Sequence, residues 1–312
     1  MILNDFIVPT SLGLYCRYGD FYLDPNQAVK TAIISHAHGD HACSGNQNVY
    51  CTQATSLFML HRYKKFAAVD FFIHNYQETF DVNGVQIMFI SAGHILGSAQ
   101  VVMTYQGTRY VYTGDYKLQP DPTCEPVEFI QADVLITEST FANPKTQHPK
   151  AEDEIRNLQQ TSANIMLGAY ALGKSQRLIR LINDHCENKR ILVHHSIMPF
   201  VKIYEQLGVD MGAYEMYDRK VMKNTAGGLI YLVPPMVFRS YIKAINVVRV
   251  FASGWKNLQS KELQLCISDH VDWNDIIETI KQVKPTEVWT THGSGEHLVS
   301  YFQDTIIVKV LN

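Results

Sequence analysis

The stretch that decides how this chain is read is SHAHGDH, residues 35–41. Between His36 and His41 it sets three histidines and one aspartate in the order H-x-H-x-D-H. With 13 histidines among 312 residues, composition alone would produce such a run roughly once in a thousand chains. The run is therefore read as chemistry. His36 and His38 can point their imidazoles at one cation, while Asp40 and His41 turn towards a neighbouring one. Zinc takes nitrogen and oxygen ligands at ~2.0–2.2 Å, and neutral imidazole suits it. Four side chains on one loop do not fill two coordination shells, so further ligands must come from elsewhere; His94, Asp115 and His292 are the candidates.

Those candidates share a placement. Short apolar runs of strand type recur in the first half: FYL at 21, AII at 32, VQIMFI at 85, RYVY at 109 and DVLI at 133. Asp24, His36, His94, Asp115 and Glu138 each follow such a run, as do His270 after LCISD and His292 after VWTT. In layered α/β folds the ligand crevice lies beyond the carboxyl ends of the strands, which brings these seven residues within reach of one site.

Composition sets the outer limits. A chain of 312 residues with 46% hydrophobic content can bury a large core, in one large domain or two ordinary ones. No run approaches the ~18 apolar residues of a membrane span, and the first twenty residues hold neither a basic leader nor a long apolar stretch, so a soluble cytoplasmic protein is expected. The six cysteines are scattered without a C-x-x-C pair, which points to reduced thiols. A net charge of -3 gives no global attraction for nucleic acid, although bound cations would change the local balance.

From about residue 150 the texture changes. CTQATSLFMLHRY is a helix with Thr52 as its N-cap; beyond 150, PKAEDEIRNLQQ and LGKSQRLIRLINDHC read as helices alternating with the strand candidates NIML, RILV and GLIYLV. That alternation predicts an α/β unit with a parallel sheet. Near 263 the strand-then-polar texture of the first half returns in LQLCISDH and EVWTTHG. One domain is therefore expected over 1–145 and 257–312, interrupted by a second over 146–256.

The order SHAHGDH, SAGHILGSA and YTGDY resembles the metallo-β-lactamase superfamily, and ITEST, AYALGKSQ, FASGW, ISDHVDW and TTHG resemble its β-CASP nuclease branch. GLYCRYGDFYLDP, GHILGSAQV and GDYKLQPDPTCEPVEF are similar to the bacterial ligase-associated DNA exonucleases. The resemblance implies a four-layer αββα sandwich with an inserted β-CASP α/β domain and a cleft between the two. It implies two zinc ions, with manganese as the alternative: one held by His36, His38 and His94, the other by Asp40, His41 and His292, with Asp115 bridging. It makes Asp24 an outer carboxylate that orients the histidine loop, sets Glu138 beside a metal-bound histidine, and makes His270 the group that contacts the scissile phosphate or protonates the leaving oxygen. Asp40, Glu138 and His270 are thus the expected catalytic residues. Ser98, Lys117, Lys174, Arg177 and Lys256 are candidate substrate contacts, and the ALGKSQRL segment could offer a helix N-terminus to a phosphate.

The function so implied is a zinc-dependent DNA exonuclease acting in repair on single-stranded DNA, in functional association with an ATP-dependent DNA ligase and without a membrane. RNA processing of the RNase J or mRNA 3′-end type is the alternative, and His292 is the feature that favours it. A small-molecule metallo-hydrolase is the remaining reading, against which the central domain argues.

Overall fold

The computed structural model describes residues 1–240, 247–255 and 263–311. The chain divides into two compact units, one of Met1–Pro120, Glu125–Gln147 and His270–Asn312, the other of Asp121–Cys124 and His148–Asp269.

The first unit begins with a sheet of β1 (Ile7–Thr10), β2 (Gly13–Cys16), β3 (Phe21–Leu23), β4 (Thr31–Ile33), β5 (Asn46–Cys51) and β6 (Ala68–Ile73), side by side in that order. The first three strands run antiparallel, and β3 to β6 run parallel. Between β5 and β6 lies α1 (Gln53–Tyr63), capped by Thr52, whose hydroxyl accepts from Thr55 N at 3.3 Å and donates to Gly97 O at 2.7 Å. A second sheet starts with β7 (Thr79–Val82), β8 (Val85–Ser91), β9 (Ala99–Tyr105), β10 (Thr108–Tyr112) and β11 (Val134–Glu138).

The second unit follows. Its strands β12 (Asn164–Gly168), β13 (Arg190–Val193), β14 (Glu215–Met216), β15 (Leu229–Val233), β16 (Val247–Ser253) and β17 (Leu263–Cys266) form a wholly parallel sheet in the order β14-β13-β15-β12-β16-β17. Its helices are α2 (Ala151–Arg156), α3 (Lys174–His185), α4 (Met198–Gln206), α5 (Arg219–Asn224) and α6 (Pro235–Ser240). NIML, RILV and LIYLV are strands of this sheet, buried apart from the exposed Arg190, as parallel strands covered on both faces must be. Residues 263–269, expected from their texture to rejoin the first domain, belong to this unit, because β17 pairs with β16. A four-residue apolar strand carries nothing that names the sheet it joins.

The first unit is completed by α7 (Trp273–Val283), β18 (Glu287–Thr291), α8 (Glu296–Phe302) and β19 (Ile307–Val310), which extend the second sheet to β19-β18-β11-β10-β9-β8-β7. The two-residue period of a strand makes this sheet serve two cores. Val101 and Met103 of β9, with Tyr110 and Tyr112 of β10, pack with Phe21, Leu23 and Ile33 of the first sheet. The intervening Val102 and Val111 pack with Ile276 and Ile280 of α7. Among the described residues, no helix is long and apolar enough to cross a membrane.

Candidate metal centre

Six candidate residues stand at the carboxyl ends of strands: Asp24 after β3, His36 after β4, His94 after β8, Asp115 after β10, Glu138 at the end of β11 and His292 after β18. Two glycines make the turns. Gly93 and Gly114 have φ of +68° and +54°, and a Cβ would stand 2.6 Å from Lys117 O in the first case and 2.6 Å from Ser35 Oγ in the second. Only glycine lets the backbone swing His94 and Asp115 inwards at such close approach.

His36, His38, His94 and Asp115 form one group. His38 Nδ1 lies 3.1 Å from His36 Nε2 and 3.0 Å from His94 Nε2, while Asp115 Oδ2 is 3.7 Å from His36 Nε2 and 3.8 Å from His94 Nε2. Three imidazole nitrogens turned on one another, with a carboxylate beside them, suit a cation between them. Tetrahedral zinc with nitrogen at ~2.0–2.1 Å would space its ligands about 3.4 Å apart, close to these separations.

The tautomers follow from the outer hydrogen bonds. Ser35 Oγ donates to Asp24 Oδ2 at 2.5 Å, so towards His36 Nδ1, 3.0 Å away, it can only accept. His36 therefore carries its proton on Nδ1 and turns the lone pair of Nε2 into the cluster. Burial, with His41, His94 and His38 close by, holds the His36 pKa well below its ordinary value, which keeps it neutral.

Asp24 also accepts from Ser35 N at 2.7 Å, from His41 Nδ1 at 2.9 Å and from Tyr112 OH at 3.0 Å. It orders the histidine loop from behind, leaving His41 Nε2 directed at Asp115 Oδ2, 3.3 Å away. Burial works against charge on His41, but Asp115 and Asp24 prevail and raise its pKa well above the ordinary value. Burial likewise opposes charge on Asp115, yet His41 and His270 hold its carboxyl well below the usual range. Burial and the nearby Asp24 and Asp115 carboxylates keep Tyr112 protonated and so a donor.

A second group joins Asp115, Glu138 and His270. His270 Nδ1 is 3.0 Å and 3.1 Å from the two oxygens of fully buried Glu138, and 3.8 Å from Asp115 Oδ2. Glu138 Oε1 also accepts from Tyr116 N at 3.1 Å, which fixes the carboxylate. Asp40 and His292 are exposed, and neither joins a group of three ligand atoms among the described residues; the His292 ring stands 5.1 Å from that of His41.

Of the candidate substrate contacts, Lys256 lies outside the described residues, and the other four are buried and engaged elsewhere. Ser98 Oγ accepts from His94 N and Ile95 N, and Lys117 Nζ donates to His94 O at 3.1 Å, so both shape the His94 turn. Lys174 donates to Ile267 O and pairs with Asp269, while Arg177 donates to Ser268 O and pairs with the same carboxylate. The α3 N-terminus is closed by its own side chain, since Gln176 Oε1 accepts from Gly173 N at 2.7 Å. Sequence reading passed over Ser35 and Tyr112, which hold Asp24, and Arg62 and Tyr63, which donate to Ala37 O and Ala42 O of the histidine loop. For Ser35 the adjacency to His36 was the available signal; the others act across long stretches of chain.

Fold and site together define an α/β protein with a centre of histidines and carboxylates at strand ends, able to hold a divalent metal. No family model matches the chain. It is 27% identical over 304 residues to a "Probable DNA ligase" of Opitutus terrae, a match that takes in 92% of this chain but 29% of that protein. It is 27% identical to an "RNase J-like protein" of Methanocaldococcus jannaschii, over 88% of this chain and 84% of that one. A third relative, "Cleavage and polyadenylation specificity factor subunit 3-I" of Arabidopsis thaliana, is 26% identical over 53% of this chain and 29% of its own length. A solved structure of a protein of unknown function from Enterococcus faecalis shares the fold, with a TM-score of 0.61 at 13% identity over 90% of this chain and 79% of that one. The likeness to an RNase J-like protein and to a cleavage and polyadenylation factor subunit is consistent with the β-CASP branch that the sequence motifs resemble.

Proposed function

We propose that the chain is a metal-dependent phosphodiesterase of the β-CASP type, an αββα sandwich interrupted by its α/β unit, that degrades single-stranded DNA from an end. The observation that carries this reading is the Glu138–His270 pair set against the histidine cluster through Asp115, because it adds a proton-transfer group to a metal centre. His36, His38 and His94 would hold one ion, Asp40, His41 and His292 a second, and Asp115 would serve both. The chemistry of the donors supports zinc or manganese. When bound, such ions lower the pKa of water towards neutrality and draw charge from a phosphodiester.

The chain's own residues supply the rest. Asp24 fixes the His41 ring, so that losing a proton from Nε2 readies that atom as a ligand without any movement. Glu138 accepts from His270 Nδ1, which leaves the opposite ring nitrogen of a protonated His270 to donate to the departing sugar oxygen. His270 is partly exposed, as contact with a substrate requires.

The match spanning 92% of this chain to a protein named a probable DNA ligase favours DNA, and with it repair in association with an ATP-dependent ligase. The RNA reading has its own support, a likeness to an RNase J-like protein running over most of both chains. End-labelled single-stranded DNA and RNA of matched sequence, with and without a 5′-phosphate, separate the two. Faster loss of DNA with stepwise shortening is expected. Faster loss of RNA selects the other reading, and cleavage of neither strand by metal-loaded protein removes both.

A further inference from the structure

The second unit carries a feature that the metal centre does not use. In a parallel sheet, ligands bind beyond the carboxyl ends of the strands. Along the adjacent strands β13, β15, β12 and β16, the residues just past those ends are His195, Met236, Tyr170 and Trp255, and all four are exposed. Tyr170 and Trp255 each lie two residues beyond neighbouring strands, with Gly168 paired to Phe251 beneath them, and they are 62% and 57% exposed. The other two tryptophans, Trp273 and Trp289, are buried. Single exposed apolar side chains are ordinary, but two large rings at the ends of neighbouring strands, flanked by Met236, are not.

The charges at this edge suit an anion. Arg219 and Lys220 open α5 after β14, Arg239 lies in α6 after β15, and all three are exposed without a carboxylate partner among the described residues. Against them stands Asp218, whose carboxylate caps α5 through Lys220 N. The acid at the end of β17, Asp269, is buried and neutralised by Lys174 and Arg177. Flat rings and cations along one edge of a sheet match a chain of bases on a phosphate backbone, because every base offers a face for stacking whatever its sequence.

We propose that the carboxyl edge of this parallel sheet is a stacking platform for unpaired bases of single-stranded nucleic acid, with Tyr170 and Trp255 as the ring contacts. It rests on the nuclease reading above and adds to it a site in the second unit. The platform grips bases, so it favours a strand that carries them over the same backbone without them.

The test uses metal-loaded full-length protein and two phosphorothioate strands of equal length, an oligothymidylate and its abasic counterpart, both resistant to hydrolysis. Wild-type protein should prefer the thymidylate and show quenching of tryptophan emission on binding it. Each of Tyr170→Ala and Trp255→Ala should weaken thymidylate binding roughly 5- to 150-fold while leaving abasic binding unchanged. Tyr170→Phe and Trp255→Phe should retain most of the preference, and Trp255→Phe should lose the quenching. Equal wild-type affinity for the two strands, or an undiminished preference in a folded Tyr170→Ala/Trp255→Ala double variant, overturns the platform and turns the edge over to a protein partner. If the double variant still degrades ordinary DNA and keeps its base preference, the platform alone fails; if the wild type neither binds nor cleaves either nucleic acid, the nuclease reading fails with it.

Discussion

Asp24→Asn tests whether the outer carboxylate builds the metal site. Asp24 has a φ of +42°, a left-handed conformation that asparagine also tolerates, so the substitution changes charge and hydrogen bonding with little backbone penalty. Three donors converge on Oδ2: Ser35 Oγ, His41 Nδ1 and Tyr112 OH. An amide can keep one oxygen as acceptor, towards Ser35 N, but then presents N–H groups to three donors that are themselves largely buried. Each buried polar group left unsatisfied costs about 1–3 kcal/mol, and the hydroxyls can rotate to relieve part of it, so a loss of about 3–5 kcal/mol is expected. For a unit of this size that lowers Tm by on the order of 10 °C. Zinc affinity should fall about 10- to 100-fold, because the His41 ring loses the partner that orients it. Differential scanning calorimetry of chelated protein and zinc competition against a chromophoric chelator measure the two effects. Wild-type zinc affinity in a variant of lowered Tm would show that Asp24 serves the fold alone, and the account of the site would have to be abandoned.

Three other outcomes are expected. His270→Ala and Glu138→Gln should each lower kcat on single-stranded DNA by about 10²- to 10⁴-fold with metal content unchanged, measured by single-turnover cleavage and elemental analysis; loss of bound metal in either variant would count against a proton-transfer role. Arg177→Leu should cost about 3–5 kcal/mol in chemical denaturation, since it strips a buried cation from Asp269 and Ser268 O, and a cost under about 1 kcal/mol would refute the buried pairing. Asp275 is pushed up to about 6 by burial and the adjacent Asp272, so its carboxyl favours folding when protonated. The sign is that of an acid with a raised folded pKa: the penalty is absent below the ordinary carboxylate range, grows as pH rises towards 6 and is complete above it. Asp275→Asn should therefore raise Tm at pH 8, by an amount equivalent to about 1–3 kcal/mol, and leave it unchanged at pH 3.5.

Much of the candidate site's placement was legible because its residues share one local rule. His36, His94, Asp115, Glu138 and His292 each follow a short apolar run, and those runs are strands. The helix start at Thr52 was legible for the same kind of reason, a side chain capping its own chain three residues on. Hydrogen-bond partners far apart in sequence were not. Lys117, Lys174 and Arg177 look like solvated cations in the sequence, yet the tertiary structure buries them against His94 O, Ile267 O and Ser268 O.

The sequence by itself determined that a set of candidate metal ligands follows the ends of strands, because periodicity and ligand spacing are local properties written in consecutive residues. Only the tertiary structure decided how that chemistry is held. Asp24 meets Tyr112 across 88 residues and Glu138 meets His270 across 132, pairings made when separate strands close on shared cores. The same closure decided that β17 joins the parallel sheet, and that Tyr170 and Trp255 stand exposed on neighbouring strands. Strand pairing and burial follow from which apolar faces meet, and no single segment carries that information alone.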